Sequence, residues 1–398
     1  MSNNFKNFDT LCIHAGIEDY EFGPVVPPIY QTSTFRFDNA EQGANIFAGK
    51  IKGYNYTRLN NPTIEAMENS IASLEGGYKA LGCASGMAAI HTVFASLLKT
   101  GDHVVASHSL YGPTITLLDT IFAKFNIEST FINTSDLNIV ENSLKRKNTK
   151  LVYIETPGNP TLDISDIEEL AKLAHQYGAL LVVDNAFMSP ALQKPLLLGA
   201  DVVLHSMSKY INGHADVIAG IVVVKDQDMY TLMRKTLNQT GGVIDPFNSF
   251  LIHRGVKTLS VRMEKHNFNA QKVAEFLANH PLIEKVYFPG LPNHPNKNIH
   301  DKQAKGPGAV ISCEIKGGLR TGVELMNNLN LFQLAVSLGG VESLIQHPAS
   351  MTHASVPVEQ RLKSGITDGL IRISVGIEDI NDLLEDLNNG LEKAKLVL

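Results

Sequence analysis

From about residue 60 to residue 225, short apolar runs alternate with amphipathic stretches. Residues 103–106, 151–155, 180–183, 202–205 and 217–224 are predicted strands, several without polar alternation. Strands apolar on both faces belong in a parallel sheet covered by helices on each side. The intervening helices carry clear punctuation. Asn61 is a predicted cap and Pro62 suits the first helical position. Ile64, Met67, Ile71 and Leu74 share one face, and Gly76-Gly77 stops the run. Residues 167–177 read the same way and end at Gly178. The pattern is α/β with a doubly wound sheet. Before it, Pro24, Pro27 and Pro28 punctuate an irregular arm that cannot form a core alone. Beyond about residue 250, one long helix is predicted over 247–279, and a Pro/Gly-rich loop over 289–295 follows. Strands over 309–315 and 370–375 then alternate with helices, as in a smaller α+β domain. The expected division is an arm over 1–60, an α/β domain over 61–250 and an α+β domain over 251–398. No internal repeat or low-complexity tract interrupts it.

Composition narrows the function more than the fold. At 398 residues the chain has room for two or three domains, and 44% hydrophobic with 19% charged residues excludes wholesale disorder. The net charge is −6, and the densest basic cluster is only Lys145-Arg146-Lys147, so no nucleic-acid surface is expected. Three cysteines without a CxxC pair argue against a disulfide scaffold and a zinc ribbon. No apolar run is long enough for a bilayer, and MSNNFKNFDT lacks a signal-peptide core. A reduced, cytoplasmic protein without membrane contact is expected. His347 and His353 do not share a helix face, and HExxH is missing, so no metal is expected. GxGxxG and the P-loop are missing as well, and Gly82-Cys83-Ala84-Ser85-Gly86 places its serine one position late for GxSxG.

Three short segments remain. Ser85-Gly86-Met87 precedes a helical run over 88–98, and a small-residue turn opening a helix exposes N–H groups to a phosphate. Plain helix capping explains it too. Asp184 ends an apolar strand, where carboxylates of parallel sheets face the ligand crevice; it also could be a cap. Ser206-Met207-Ser208-Lys209 follows another buried strand. A lone lysine there would be an ordinary surface charge. Beside two hydroxyls and a strand-end carboxylate it becomes a Schiff-base candidate. Pyridoxal 5'-phosphate (PLP) needs such a set: an amine, a carboxylate for its ring nitrogen, and donors for its phosphate.

With these residues in place, the chain resembles the cystathionine γ-synthase/methionine γ-lyase family of PLP enzymes. The resemblance runs from about residue 13 to 391. It includes Tyr56-Thr57-Arg58, Glu155-Thr156-Pro157-Gly158-Asn159-Pro160, Val183-Asp184-Asn185, Ser206-Met207-Ser208-Lys209-Tyr210, Ser337-Leu338-Gly339-Gly340, His347-Pro348-Ala349-Ser350-Met351-Thr352-His353 and Ile371-Arg372-Ile373-Ser374. It implies a PLP-dependent transferase-like fold of the aspartate aminotransferase type. Carried over by position, Lys209 is the lysine that holds PLP and moves protons. Asp184 pairs with the ring nitrogen, and Asn159 reaches the ring oxygen. Gly86, Met87, Ser206 and Ser208 bind the phosphate. Tyr111 stacks on the ring and works as an acid/base, Arg372 clamps the substrate carboxylate, and Ser337 lies beside it. Tyr56 and Arg58 serve the phosphate of a neighbouring subunit, which implies a dimer with shared sites and a tetramer of two such dimers. The implied activity is α,γ-elimination on L-methionine or L-cystathionine.

The chain departs from the family pattern in three places. Methionine γ-lyases typically carry Cys two residues after the stacking tyrosine, where Pro113 stands here. They tend to carry Lys where alignment places Leu237, and the family usually carries Thr where Ala186 follows Asp184-Asn185. The side chains around Tyr54, Pro113, Leu237 and Glu342 are expected to shape access. A γ-replacement enzyme joining a thiol to an activated homoserine remains the alternative. A non-catalytic binding protein of the same fold is a third reading.

Overall fold

The computed structural model describes residues 5–398, except 353, 355–357 and 364. His353 therefore lies outside the described residues. The strands are β1 (Lys79–Cys83), β2 (His103–Ser107), β3 (Glu128–Ile132), β4 (Thr149–Glu155), β5 (Leu180–Asp184), β6 (Val202–Ser206) and β7 (Gly220–Val224), followed by β8 (Ile283–Tyr287), β9 (Val310–Ile315), β10 (Gln333–Leu334), β11 (Leu344–Gln346) and β12 (Leu370–Ser374).

The first seven form one sheet in the order β1-β7-β6-β5-β4-β2-β3. Its centre, β6 through β3, is parallel, while β7 runs antiparallel to both β1 and β6. The other five form a second sheet, β10-β11-β12-β9-β8, antiparallel except for β10 against β11.

Both faces of the large sheet are buried, so its strands read as continuous apolar runs. Along β5 the side chains alternate between two packing layers. Val182 joins Leu81, Phe94, Leu204 and Val222 on one face; Leu181 and Val183 join Ile154, Leu170 and Val203 on the other. Helices Gly86–Leu97 and Gln227–Thr240 cover the first face, and helix Ile167–Gln176 the second. Each fully buried aliphatic side chain in these layers contributes about 1.5–3 kcal/mol. The expected punctuation is present. The Asn61 side chain accepts the Thr63 N–H to open helix Pro62–Glu75, and Gly76 closes it at φ 74°.

Several elements differ from the sequence-based expectation. The strand expected over 217–224 begins only at Gly220, where a Cβ would meet the Ser85 carbonyl oxygen at 2.2 Å; this close passage ends the ladder. The single helix expected over 247–279 is two, Pro246–Val256 and Leu259–Ala278. At the break, Arg262 donates to the Gly255 carbonyl at 2.9 Å and the Tyr210 carbonyl at 2.7 Å, tying the junction to the loop after Lys209. The arm is not wholly irregular: helices Phe8–His14 and Ala40–Phe47 lie within it, and Cys12 is buried against the main body. β1 and β3 were not among the predicted strands. Among the described residues, no helix is long and apolar enough to cross a membrane. The three cysteines are unpaired and buried.

Candidate active site

The C-terminal ends of β4, β5 and β6 converge at one edge of the large sheet, where ligands of parallel α/β sheets bind. Glu155 ends β4 and lies opposite Asp184, which ends β5. Ser206 ends β6 and leads directly to Lys209. Across from Ser206 is the N-terminus of helix Gly86–Leu97, capped by the Ser85 side chain, which accepts the Ala88 N–H at 3.0 Å. The capping reading of Ser85 is thus correct. It is also compatible with anion binding, because Gly86 and Met87 occupy the first turn, whose N–H groups have no partner inside a helix. A Cβ on Gly86 would lie 3.2 Å from the Ser206 Cβ, so glycine lets the helix end approach the strand end.

A hydrogen-bonded chain joins the next residues. The Lys209 amine donates to the Ser337 hydroxyl at 2.6 Å. The Ser337 carbonyl accepts from Arg372 Nη2 at 2.7 Å, and Asn159 Oδ1 accepts from Arg372 Nη1 at 3.1 Å. Ser337 holds φ at 101°, unusual for a residue with a side chain. Arg372 comes from β12 of the small sheet, Asn159 from the loop after β4 and Lys209 from the loop after β6, so both sheets contribute. Because Asn159 gives its oxygen to Arg372, its amide N–H groups remain available to a ligand.

Burial shapes the charges. With added repulsion from Arg372 and opposed by Asp184, it lowers the Lys209 amine from an ordinary 10.5 to about 8. It lifts Asp184 from 3.8 to about 6, while the Ala186 N–H, His205, the Tyr153 hydroxyl and Lys209 pull it back. Glu155 is pushed well above the usual carboxylate range, first by burial and then by Asp184. Burial brings Arg372 down to about 10, which still leaves it charged at neutral pH.

These groups fit PLP: a weakly basic amine, a strand-end carboxylate, free amides and the Ser206 hydroxyl. Ser208 contributes less freely, since its hydroxyl already accepts the Ala219 N–H at 2.9 Å. Tyr111 is half exposed and precedes helix Gly112–Thr116. Tyr56 and Arg58 are exposed. Arg58 stacks on Tyr56 at 5.6 Å, donates to the Asn238 carbonyl, and lines a cavity of about 240 Å³ with Thr57, Glu68, Tyr230 and Arg234.

Two residues were missed as site groups. Glu155 Oε2 accepts the Tyr111 N–H at 2.9 Å, fixing the tyrosine's backbone. The strand-end argument that selected Asp184 applies equally to Glu155 and would have found it. Gln346 pairs with Arg372 across β11 and β12. In the amide orientation that satisfies both groups, its oxygen accepts from Arg372 Nε and Nη2 at 3.1 Å. The sequence shows it only as part of a motif, with nothing to tie it to Arg372. The expectation that Leu237 shapes access needs correction: it is fully buried in the layer with Cys83, Val93 and Met233, on the inner face of its helix. Tyr54 donates to Glu65 at 2.5 Å, and Pro113 and Glu342 are exposed. Among the described residues, no group of three or more His, Cys, Asp or Glu side chains is arranged to hold a metal.

The family model of Cys/Met metabolism PLP-dependent enzymes matches residues 9–392. An L-methionine γ-lyase of Fusobacterium nucleatum subsp. polymorphum is 52% identical, covering 99% of this chain and 100% of that protein. A cystathionine γ-lyase of Bacillus subtilis is 47% identical over 96% of this chain and 98% of its own length. The crystal structure of a cystathionine γ-synthase from Xanthomonas oryzae pv. oryzae superposes with TM-score 0.95 at 42% identity, over 99% of this chain and 100% of that one. The larger mostly parallel sheet and the smaller second sheet are thus the fold that the resemblance implied. With residues 9–392 matched and the strand ends, lysine and arginine gathered at one edge, the chain belongs to the Cys/Met metabolism PLP-dependent enzyme family, and its cofactor is PLP.

Proposed function

We propose that this chain is a PLP-dependent carbon–sulfur lyase that converts L-methionine and water to 2-oxobutyrate, ammonia and methanethiol, with L-cystathionine as a second substrate. The observation that carries this reading is the bridge at Ser337. Its hydroxyl holds the Lys209 amine and its carbonyl holds the Arg372 guanidinium, so one residue sets a proton-moving amine beside a carboxylate clamp. The similarity to the Fusobacterium methionine γ-lyase supports the choice of methionine.

Arg372 takes the substrate α-carboxylate with its planar fork, held from behind by Asn159, the Ser337 carbonyl and Gln346. Lys209 holds the cofactor and is released when substrate binds. A free amine with a pKa near 8 is then well matched to take a proton from Cα and return one further along the chain. Asp184 would hold the cofactor's ring nitrogen and Asn159 its ring oxygen, while Gly86, Met87, Ser206 and Ser208 would hold its phosphate. The bound cofactor supplies the electron sink for the charge left at Cα. Tyr111, its backbone anchored by Glu155, would cover the cofactor ring and give a proton to the departing sulfur. Water completes release of the oxo acid and ammonia.

Pro113 places no thiol beside Tyr111, which leaves the γ-replacement reading a specific foothold. The test is L-methionine as sole substrate with L-cystathionine alongside. Release of 2-oxobutyrate from methionine is expected. Turnover of cystathionine alone would shift the assignment to a cystathionine lyase. No release from either, with turnover of an activated homoserine plus cysteine, would replace elimination by γ-replacement.

The active form is proposed to be a dimer of shared sites, two of which form a tetramer, with the arm reaching the neighbouring site. Tyr56 and Arg58 would then complete the phosphate site of the other subunit, which fits their exposure in the single chain. Tyr56→Phe should loosen cofactor retention. Subunit exchange between Tyr56→Phe and Lys209→Ala proteins should restore activity above both parents, because one hybrid site contains both native residues. Activity that stays at the parental sum would show that each site is built from one chain. Three buried, unpaired thiols fit a reducing cytoplasm.

A further inference from the structure

Directly behind the proposed site lies a fully buried acid–base pair that the mechanism above does not use. Glu75 ends helix Pro62–Glu75, and its Oε1 lies 2.7 Å from His205 Nε2. The same oxygen accepts from Asn185 Nδ2 at 3.1 Å. All three side chains have no exposed surface. His205 immediately precedes Ser206 on β6, and Asn185 immediately follows Asp184 on β5. One carboxylate oxygen therefore ties together the two strand ends that carry the proposed phosphate and ring-nitrogen contacts.

Stability does not explain this arrangement. Glu75 Oε2 and His205 Nδ1 have no hydrogen-bond partner among the described residues. A buried pair with two unsatisfied atoms contributes little to folding, and apolar replacements of similar volume are often as stable. Asn185, by contrast, is bonded on every side. Its N–H donates to the Leu204 carbonyl at 2.9 Å, Nδ2 also donates to the Gln193 carbonyl at 2.8 Å, and Oδ1 accepts from Gln193 Nε2 at 3.0 Å. The next N–H, on Ala186, donates to Asp184 Oδ1 at 3.0 Å. The chain of contacts thus runs from Glu75 through Asn185 to the orientation of the Asp184 carboxylate.

We propose that the buried Glu75–His205 pair is a positioning unit for Asp184, acting through Asn185 and the adjoining strand end to hold that carboxylate toward the cofactor's ring nitrogen. The proposal rests on the reading of Asp184 as the partner of that nitrogen. His205 also lies among the groups that oppose the burial lifting Asp184 to about 6. A carboxylate kept charged and in place favours a protonated ring nitrogen, on which the cofactor's electron sink depends.

The test uses the full chain stripped of cofactor and reloaded with PLP or with its carbocyclic analogue, in which C–H replaces the ring nitrogen. Dissociation constants are measured for each. The native protein should prefer PLP, and Asp184→Asn should abolish that preference. Glu75→Gln and His205→Gln should each cut it by roughly tenfold, the effect of one lost charge-assisted hydrogen bond. Affinity for the analogue should stay within about twofold, since a C–H needs no carboxylate partner. An intact preference in Asp184→Asn would remove the reading of Asp184 and the proposal with it. Loss of preference in Asp184→Asn but not in Glu75→Gln or His205→Gln would overturn the proposal alone. Equal weakening of both ligands in these two variants would reduce the pair to a structural role and overturn it too.

Discussion

Lys209→Ala is expected to lower turnover of L-methionine by at least roughly 10³-fold, since it removes both the proposed covalent anchor and the proposed general acid–base group, the latter worth about 10²–10⁴. Folding should not suffer. In the described contacts, the amine's hydrogen bond is to Ser337, and burial disfavours its charge, lowering its pKa from 10.5 to about 8. Between those values the unfolded chain binds the proton and the folded one does not, so apoprotein stability rises with pH through that window. Below about 8 the folded state carries the full cost of a buried ammonium, and alanine relieves it. The apo variant should therefore melt no lower than the native apoprotein at neutral pH. Turnover within tenfold of native in a folded variant would take Lys209 out of the reaction.

Arg372→Leu has the second largest expected effect. The substrate carboxylate would lose two charge-assisted hydrogen bonds at about 1.5–3 kcal/mol each, so kcat/KM should fall roughly 10²- to 10⁴-fold. KM should rise as well as kcat fall, because the clamp holds substrate both before and during proton transfer. The substitution also frees Asn159 Oδ1 and the Ser337 carbonyl, which now accept from the guanidinium. Arg372→Lys separates these effects: it keeps the charge but loses the planar fork, and should recover only part of the loss. Steady-state kinetics with L-methionine check both variants, and an unchanged kcat/KM in Arg372→Leu would place the carboxylate elsewhere.

Much of this site could be read from local sequence because strand ends are local features. An apolar run ending in Asp184, and another leading into Ser206 and Lys209, point their last residues into the crevice wherever a parallel sheet forms. Helix caps are equally local, and Asn61 and Gly76 fall where expected. Strand direction is not local. The run Gly220–Val224 is buried on both faces whether its neighbours are parallel or antiparallel, so its antiparallel pairing with β1 and β6 had no separate signature.

The residues that sequence reading missed work through partners far along the chain. Glu75 reaches His205 across 130 positions, and Gln346 reaches Arg372 from the neighbouring strand. Each would pass for an ordinary helix-end, strand or surface residue when read alone. Leu237 shows the converse. Alignment placed it beside the site, but an inward-facing position on helix Gln227–Thr240 buries it in the core. Tyr56 and Arg58 could be assigned a role only through the resemblance, since their proposed target belongs to another subunit.

The most direct measurement is reduction of the PLP-loaded protein with borohydride, which fixes the cofactor to the amine that holds it, followed by peptide mass spectrometry. A pyridoxyl phosphate adduct on Lys209, lost when excess L-methionine is present before reduction, is the expected result. An adduct confined to another lysine would contradict the site built here.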